Sequence, residues 1–161
     1  MARRGVASVL GERVMVRREG CQATDRHRSR RAARRAALGA VFEADFGQHT
    51  AMAVLERQLA ETEADPTTAE LARELVSQVV AHRDTIDARI ELSAPQYPVT
   101  QLARMDRALL RCAIGEVLHS PTPARVAIAE WVELARTYSG DPMRRLMNGV
   151  LGRIARDTSG A

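Results

Sequence analysis

Apolar residues recur at three- and four-residue spacing along most of this chain, with polar positions between them, and that period predicts helices and little else. The pattern is strongest between Pro123 and Ile154. From Val126 to Tyr138 the polar residues Glu130, Glu133, Arg136 and Thr137 fall on one narrow stripe, and every other face is apolar. A helix wetted along one stripe is surrounded by neighbours, so the spacing predicts the central helix of a bundle. After a Gly-Asp turn, Met143, Leu146, Met147, Val150, Leu151 and Ile154 share one face of the next helix, with Arg144, Arg145, Arg153 and Arg156 elsewhere. Gly149 and Gly152 inside it each cost about 1 kcal/mol relative to alanine, which predicts close backbone approach by another helix.

The same reading places the earlier elements. Ser29 is a candidate N-cap for a first helix, which a turn at Gly47-Gln48-His49 ends. A second helix spans Ala51 to about Glu63, with Met52, Leu55 and Leu59 inside. Asp65-Pro66-Thr67 breaks the chain and caps a long third helix running to about Leu92 through Leu71, Leu75, Val79, His82, Ile86 and Ile90. Beyond Ser93-Ala94-Pro95, the segment from Tyr97 to Leu118 supplies a short helical turn and a mostly apolar helix. On that helix Arg104, Arg107 and Arg111 share a face, while Met105, Leu109, Cys112, Ile114, Val117 and Leu118 are available for burial. A proline-bounded turn then leads to the helix at Val126. Residues 29–157 are therefore expected to form one compact all-α unit of six or seven helices without an internal linker. Residues 158–161 are a tail. Residues 1–28 lack periodicity and are expected to be a flexible basic extension, within which Met15 is a second candidate start.

Composition agrees with this class. A length of 161 residues suits one domain with a sizeable core, aromatics are only 3%, and alternating β-branched stretches are absent. No apolar run approaches the roughly 20 residues that span a bilayer, since the patch at Val6 to Leu10 is broken by Gly11-Glu12. No membrane association is expected. Cys21 lies in a polar stretch and Cys112 in a helical pattern, so no disulfide framework is indicated and a reducing cytoplasm fits.

Charge changes the picture more. Residues 1–35 hold eleven arginines against Glu12, Glu19 and Asp25, a net +8, whereas the rest of the chain nets −4. Lysine is absent, which coding bias explains, but bias does not explain clustering. Arg30, Arg31, Arg34 and Arg35 fill the first two turns after Ser29, where positive charge opposes the helix dipole. Helix stability does not account for them; phosphate contact is the expectation, with a merely solvated face as the alternative. At 100° per residue Arg31, Arg35, Leu38 and Phe42 fall within about 60° of one another. Two guanidiniums and a ring on one strip suit single-stranded nucleic acid, the ring stacking on an unpaired base. The alternative for Leu38 and Phe42 is plain burial in the core.

Catalytic chemistry finds no support. Without lysine no Walker-type phosphate loop exists, and no Gly-x-Gly-x-x-Gly follows a strand. Histidines 27, 49, 82 and 119 show no metal-binding spacing, and His82, on an apolar stripe, reads as a packed or edge histidine. Cys112 lacks an evident base. Glu130 and Glu133 read as the wet stripe of their helix. No catalytic residue, metal or cofactor is expected.

Several spaced motifs carry a resemblance. Tyr97-Pro98-Val99-Thr100-Gln101-Leu102, Met105-Asp106-Arg107, Leu109-Leu110-Arg111, Glu116, Pro123, Val126-Ala127-Ile128, Glu130, Val132-Glu133-Leu134-Ala135 and Asn148-Gly149-Val150-Leu151 resemble the signature of the NusB family of transcription antitermination factors. The Arg-Arg-Ala-Ala-Arg-Arg run fits the same pattern, and the match covers about residues 29–157 in unbroken order. The resemblance implies an all-helical fold of two packed bundles and no catalysis. It implies a heterodimer with the small-subunit ribosomal protein NusE that binds boxA RNA of ribosomal RNA operons and helps polymerase read through. It implies RNA contact by Arg30, Arg31, Arg34, Arg35 and Phe42, the last standing where a tyrosine is usual, and partner contact by Asp106 and Leu146.

This chain departs from the pattern at several positions. Tyr97 stands for Trp, Ala129 for Asn, and Leu146-Met147 for Phe-Val. Smaller area at Leu146 lowers partner affinity by about 1 to 2 kcal/mol if that position anchors an interface, unless the partner compensates. Trp131 replaces a small residue and is either core or cover for a protein surface. Two further readings stay open: a homodimeric protein-interaction module without intrinsic RNA affinity, and the NusB-like accessory domain of ribosomal RNA cytosine methyltransferases, disfavoured because no methyl-donor domain follows Ala161.

Overall fold

Helix α1 runs from Val6 to Ala44 and touches both halves of the fold. The computed structural model describes residues 6–160, with side chains from residue 22 to residue 160. Six further α-helices follow: α2 (Ala51–Glu61), α3 (Pro66–Ala81), α4 (Arg83–Ser93), α5 (Arg104–His119), α6 (Ala124–Tyr138) and α7 (Asp141–Ser159). A 3-10 turn at Val99–Gln101 precedes α5. Among the described residues there is no strand, and no helix is long and apolar enough to cross a membrane.

Two of these starts are set by side chains. Thr50 Oγ1 accepts the Ala53 N–H at 3.2 Å to cap α2, and Asp65 Oδ1 accepts the Thr68 N–H at 2.9 Å to cap α3, which carries Pro66 in its first turn. Ser29 is not a cap. The chain has no proline before Pro66, and serine is tolerated inside a helix, so α1 passes straight through that position. The expected extension over residues 1–28 lies partly outside the described residues. Within α1, residues 22–28 are exposed, and burial begins with Ala33.

The expected single third helix is two helices. His82 breaks it with φ −120° and ψ 21°, and its ring stacks on His119 with centroids 3.7 Å apart. The break turns α4 away from α2 and onto α5 and α7. The apolar stripe still runs through it, because Val79, Ile86 and Ile90 are all buried.

Two cores result, as the two-bundle expectation required. The first packs Ala33, Ala37 and Ala40 of α1 against Val54, Leu55 and Leu59 of α2 and Ala69, Ala72, Leu75 and Val76 of α3. Alanines on α1 let those helices approach closely. Leu38 and Val41, on another face of α1, enter the second core with Val79 and the apolar faces of α4 to α7. Met143, Met147, Val150, Leu151 and Ile154 are buried on α7, with Leu146 only partly so.

The central helix is α5 and not α6. Every residue from Ala108 to Glu116 is buried, whereas α6 buries only Ala127, Trp131 and Ala135 and leaves Val126 and Tyr138 exposed. Two of the three arginines that share a face of α5 are neutralised within the fold, Arg107 by Asp45 and Arg111 by Asp87 and Asp45. Trp131, at 0% exposure, belongs to the core.

The glycine reading of α7 is also corrected. A Cβ at Gly149 would meet nothing within 4 Å, and one at Gly152 only the flexible Arg156 guanidinium at 3.4 Å. The close approach occurs at Gly115 of α5 instead, where a Cβ would lie 3.3 Å from Val79 Cγ2 and 3.6 Å from Ile86 Cδ1.

Candidate nucleic-acid interface

The arginine run of α1 divides by burial, since successive helical positions face different neighbours. Arg31 and Arg35 are exposed, Arg30 is half-buried, and Arg34 points into the fold. Arg34 Nε donates to both carboxylate oxygens of Glu116, at 2.9 and 3.1 Å. Its guanidinium is thus spent on α5 and does not face solvent.

Arg31 is shared between solvent and α6. Its Nε and Nη2 donate to Glu130 at 3.1 and 3.3 Å, and His27 Nε2 lies 3.8 Å from the same carboxylate. A groove follows between α1 and α6, with Arg31 and Arg35 on one side and Glu130, Glu133, Leu134 and Tyr138 on the other. Glu133 is engaged by Arg136, whose hydrogen bond and charge hold its carboxyl below the usual range.

Further along the strip Leu38 is core, and Phe42 is half-buried against the second core. The core alternative at Phe42 holds in part: its ring packs inward and also meets the Phe46 ring edge-on, with centroids 5.4 Å apart and planes at 86°. Phe46 itself is 51% exposed, and the Arg104 guanidinium lies over it, 4.2 Å from the centroid.

Asp45 fixes this end of α1. It accepts hydrogen bonds from Arg107 and lies 3.5 Å from Arg111 and 3.8 Å from Arg104. Burial pushes its carboxyl up, but the Arg107 hydrogen bond and the charges of Arg107, Arg111 and Arg83 outweigh that and hold it below the ordinary value. It is ionised at neutral pH and clamps the turn after α1 onto α5.

The two expected partner residues lie elsewhere. Asp106, in the first turn of α5, accepts the Ser139 hydroxyl at 2.6 Å, which ties α5 to the turn between α6 and α7. Leu146 is on α7, partly buried against the second core.

Sequence reasoning missed Phe46, Arg104 and the two carboxylate partners. Phe46 follows Phe42 by four residues, which was a usable signal. Glu116 sits within an apolar run, and a carboxylate there demands a buried cation. Among the described residues no group of three or more His, Cys, Asp or Glu side chains can hold a metal. Burial, then the Glu116 charge, pushes the Cys112 thiol far up, which keeps it protonated and a poor nucleophile.

Comparison with known proteins gives a consistent result. The NusB family model matches residues 31–156. A transcription antitermination protein NusB of Dehalococcoides mccartyi is 41% identical over 129 residues, covering 80% of this chain and 90% of that protein. Another NusB, of Symbiobacterium thermophilum, is 41% identical over 142 residues, covering 83% of this chain and 93% of its own length. Among solved structures, T. maritima NusB superposes with a TM-score of 0.74 at 31% identity, over 80% of this chain and 91% of that one. A structure of antitermination factors NusB and NusE with double-stranded RNA matches with a TM-score of 0.71 at 25% identity, over 81% of this chain and 98% of the matched one. With more than half of its length matched by the family and relatives above 40% identity, this chain belongs to the NusB family.

Proposed function

We propose that this protein is a transcription antitermination factor that binds boxA-type single-stranded RNA of ribosomal RNA operons together with ribosomal protein NusE, within an antiterminating RNA polymerase complex. The observation that carries the reading is the α1 strip, on which the exposed guanidiniums of Arg31 and Arg35 lead to the ring of Phe42. Arg30 extends the strip as a further phosphate contact. Arg34 serves it from behind by fixing α1 on α5. Asp106 and Leu146 are assigned to the NusE surface, and the solved complex of a relative with NusE and RNA supports that pairing. The role is one of binding and not of catalysis, and it places the protein in the cytoplasm.

A second reading has one observation in its favour. Arg31 already has a carboxylate partner, as a protein-interaction module, alone or as a homodimer, would allow.

Fluorescence anisotropy with a boxA-like RNA, a scrambled RNA and a duplex, with and without NusE and across a salt series, separates the two. Antitermination predicts sequence-selective binding that NusE strengthens, with a salt slope of about −0.7 for each phosphate neutralised. Partner binding without RNA selectivity would favour the interaction module. Alanine at Arg31 and Arg35 together should flatten the slope by about 1.4.

A further inference from the structure

The chain contains only two phenylalanines, and both stand at the end of α1, where they touch. Half-exposed Phe46 leaves apolar ring area in water that its neighbours do not cover. One feature of its surroundings is specific: Arg104, itself half-exposed, lays its guanidinium over the ring at 4.2 Å. Three arginines, 104, 107 and 111, converge here on Asp45, with Asp87 as the second carboxylate, so the cluster keeps a positive balance.

We propose that Phe46, edged by Phe42 and flanked by Arg104, is a stacking site for one unpaired base, placed at the end of the strip formed by Arg31, Arg35 and Phe42. The inference rests on the RNA-binding reading above and deepens it. Stacking needs accessible ring area, and Phe46 remains 51% exposed with the Arg104 guanidinium over its ring. The ring follows directly on the α1 terminus, and Asp45, beside it, is clamped to α5 by Arg107. A polarised ring with a cation alongside favours a base carrying its own phosphate, because the base takes the π surface and the phosphate takes the guanidinium. A purely apolar contact would leave the Arg104 charge unused, whereas a nucleotide uses both the ring and the charge.

The test uses the full chain and a boxA-like RNA carrying 2-aminopurine at successive positions. Phe46→Leu keeps apolar volume and removes the π face, while Phe46→Tyr keeps the ring. The expected result for Phe46→Leu is a loss of affinity of roughly 5- to 100-fold with an unchanged salt slope, and loss of 2-aminopurine quenching at one position. Phe46→Tyr should restore both. Arg35→Ala should instead flatten the salt slope and leave the quenching in place. The proposal is overturned if wild-type protein binds the RNA and Phe46→Leu binds it equally well. It is equally overturned if Phe46→Leu loses NusE affinity alone, which would make the ring a protein contact. Failure of the wild-type protein to bind any RNA would sink the RNA-binding reading itself, a distinguishable result.

Discussion

Arg34 and Glu116 lie 82 positions apart in sequence and form an ion pair in which each side chain is 3% exposed. The pair joins α1 to α5, close to the seam between the two cores. Removing one member leaves the other charge buried and unpaired, which costs about 3–5 kcal/mol. Urea unfolding of Arg34→Ala and of Glu116→Ala should show losses of that size. The double substitution Arg34→Met with Glu116→Leu should recover most of the loss, because it leaves no charge stranded. Loss of RNA binding in Arg34→Ala alone would then report fold damage, and retained binding in the double variant would confirm that Arg34 does not touch phosphate.

Arg31 presents the opposite case, an exposed guanidinium partly occupied by Glu130. A phosphate that binds Arg31 must compete with that carboxylate. Glu130→Gln keeps the shape and removes the charge, so RNA affinity at about 0.1 M salt should rise several-fold. Stability should change by no more than about 1 kcal/mol, since a pair with so exposed a member contributes little. Unchanged affinity, read by anisotropy, would remove Arg31 from the phosphate contacts.

These two arginines also show how far the sequence can be read. Hydrophobic period located α2, α5, α6 and α7 to within a few residues, because burial of one face is the strongest constraint on a helical chain, but it began α1 after Ser29, where the chain is already helical from Val6, and ran α3 and α4 together. It misplaced the centre of the fold because it weighs charges as wet. Arg111 is charged and buried and Arg107 mostly so, since Asp45 from the turn after α1 and Asp87 from α4 come to meet them. Pairing at such separations leaves no local trace. The α3–α4 break escaped for a similar reason, as His82 and His119 are brought together only by the folded chain. At the site, the arginine strip was legible from helical spacing. Its division into exposed Arg31 and Arg35 and buried Arg34 depended on which neighbours α1 acquired.

The glycines of α7 offer a stability test. Nothing lies within 4 Å of a Cβ at Gly149, so Gly149→Ala should gain helix propensity without a clash, about 1 kcal/mol. Thermal unfolding should shift up by roughly 2–4 °C. Gly115→Ala should not gain, because its Cβ would press on Val79 at 3.3 Å. A stabilised Gly115→Ala, or a destabilised Gly149→Ala, would contradict the packing described here.

His119 sets the pH dependence near neutrality. Burial first, and then the neighbouring His82, hold its imidazole below the usual histidine value. The sign follows from which state takes up the proton: with a depressed folded value, the unfolded chain binds more protons as pH falls, so folding stability decreases with acidification. The contribution is fully present above the unfolded value of about 6.5 and is lost as pH falls through it toward the lower folded value. Asp45 acts in a separate window. Its carboxyl is depressed, so its contribution is present above about pH 4 and is lost only in stronger acid. Urea unfolding from pH 7.5 to pH 5 should therefore show a decline that His119→Gln flattens and Asp45→Asn leaves in place. A decline that survives His119→Gln would mean that the stacked pair of His82 and His119 does not control stability in this range.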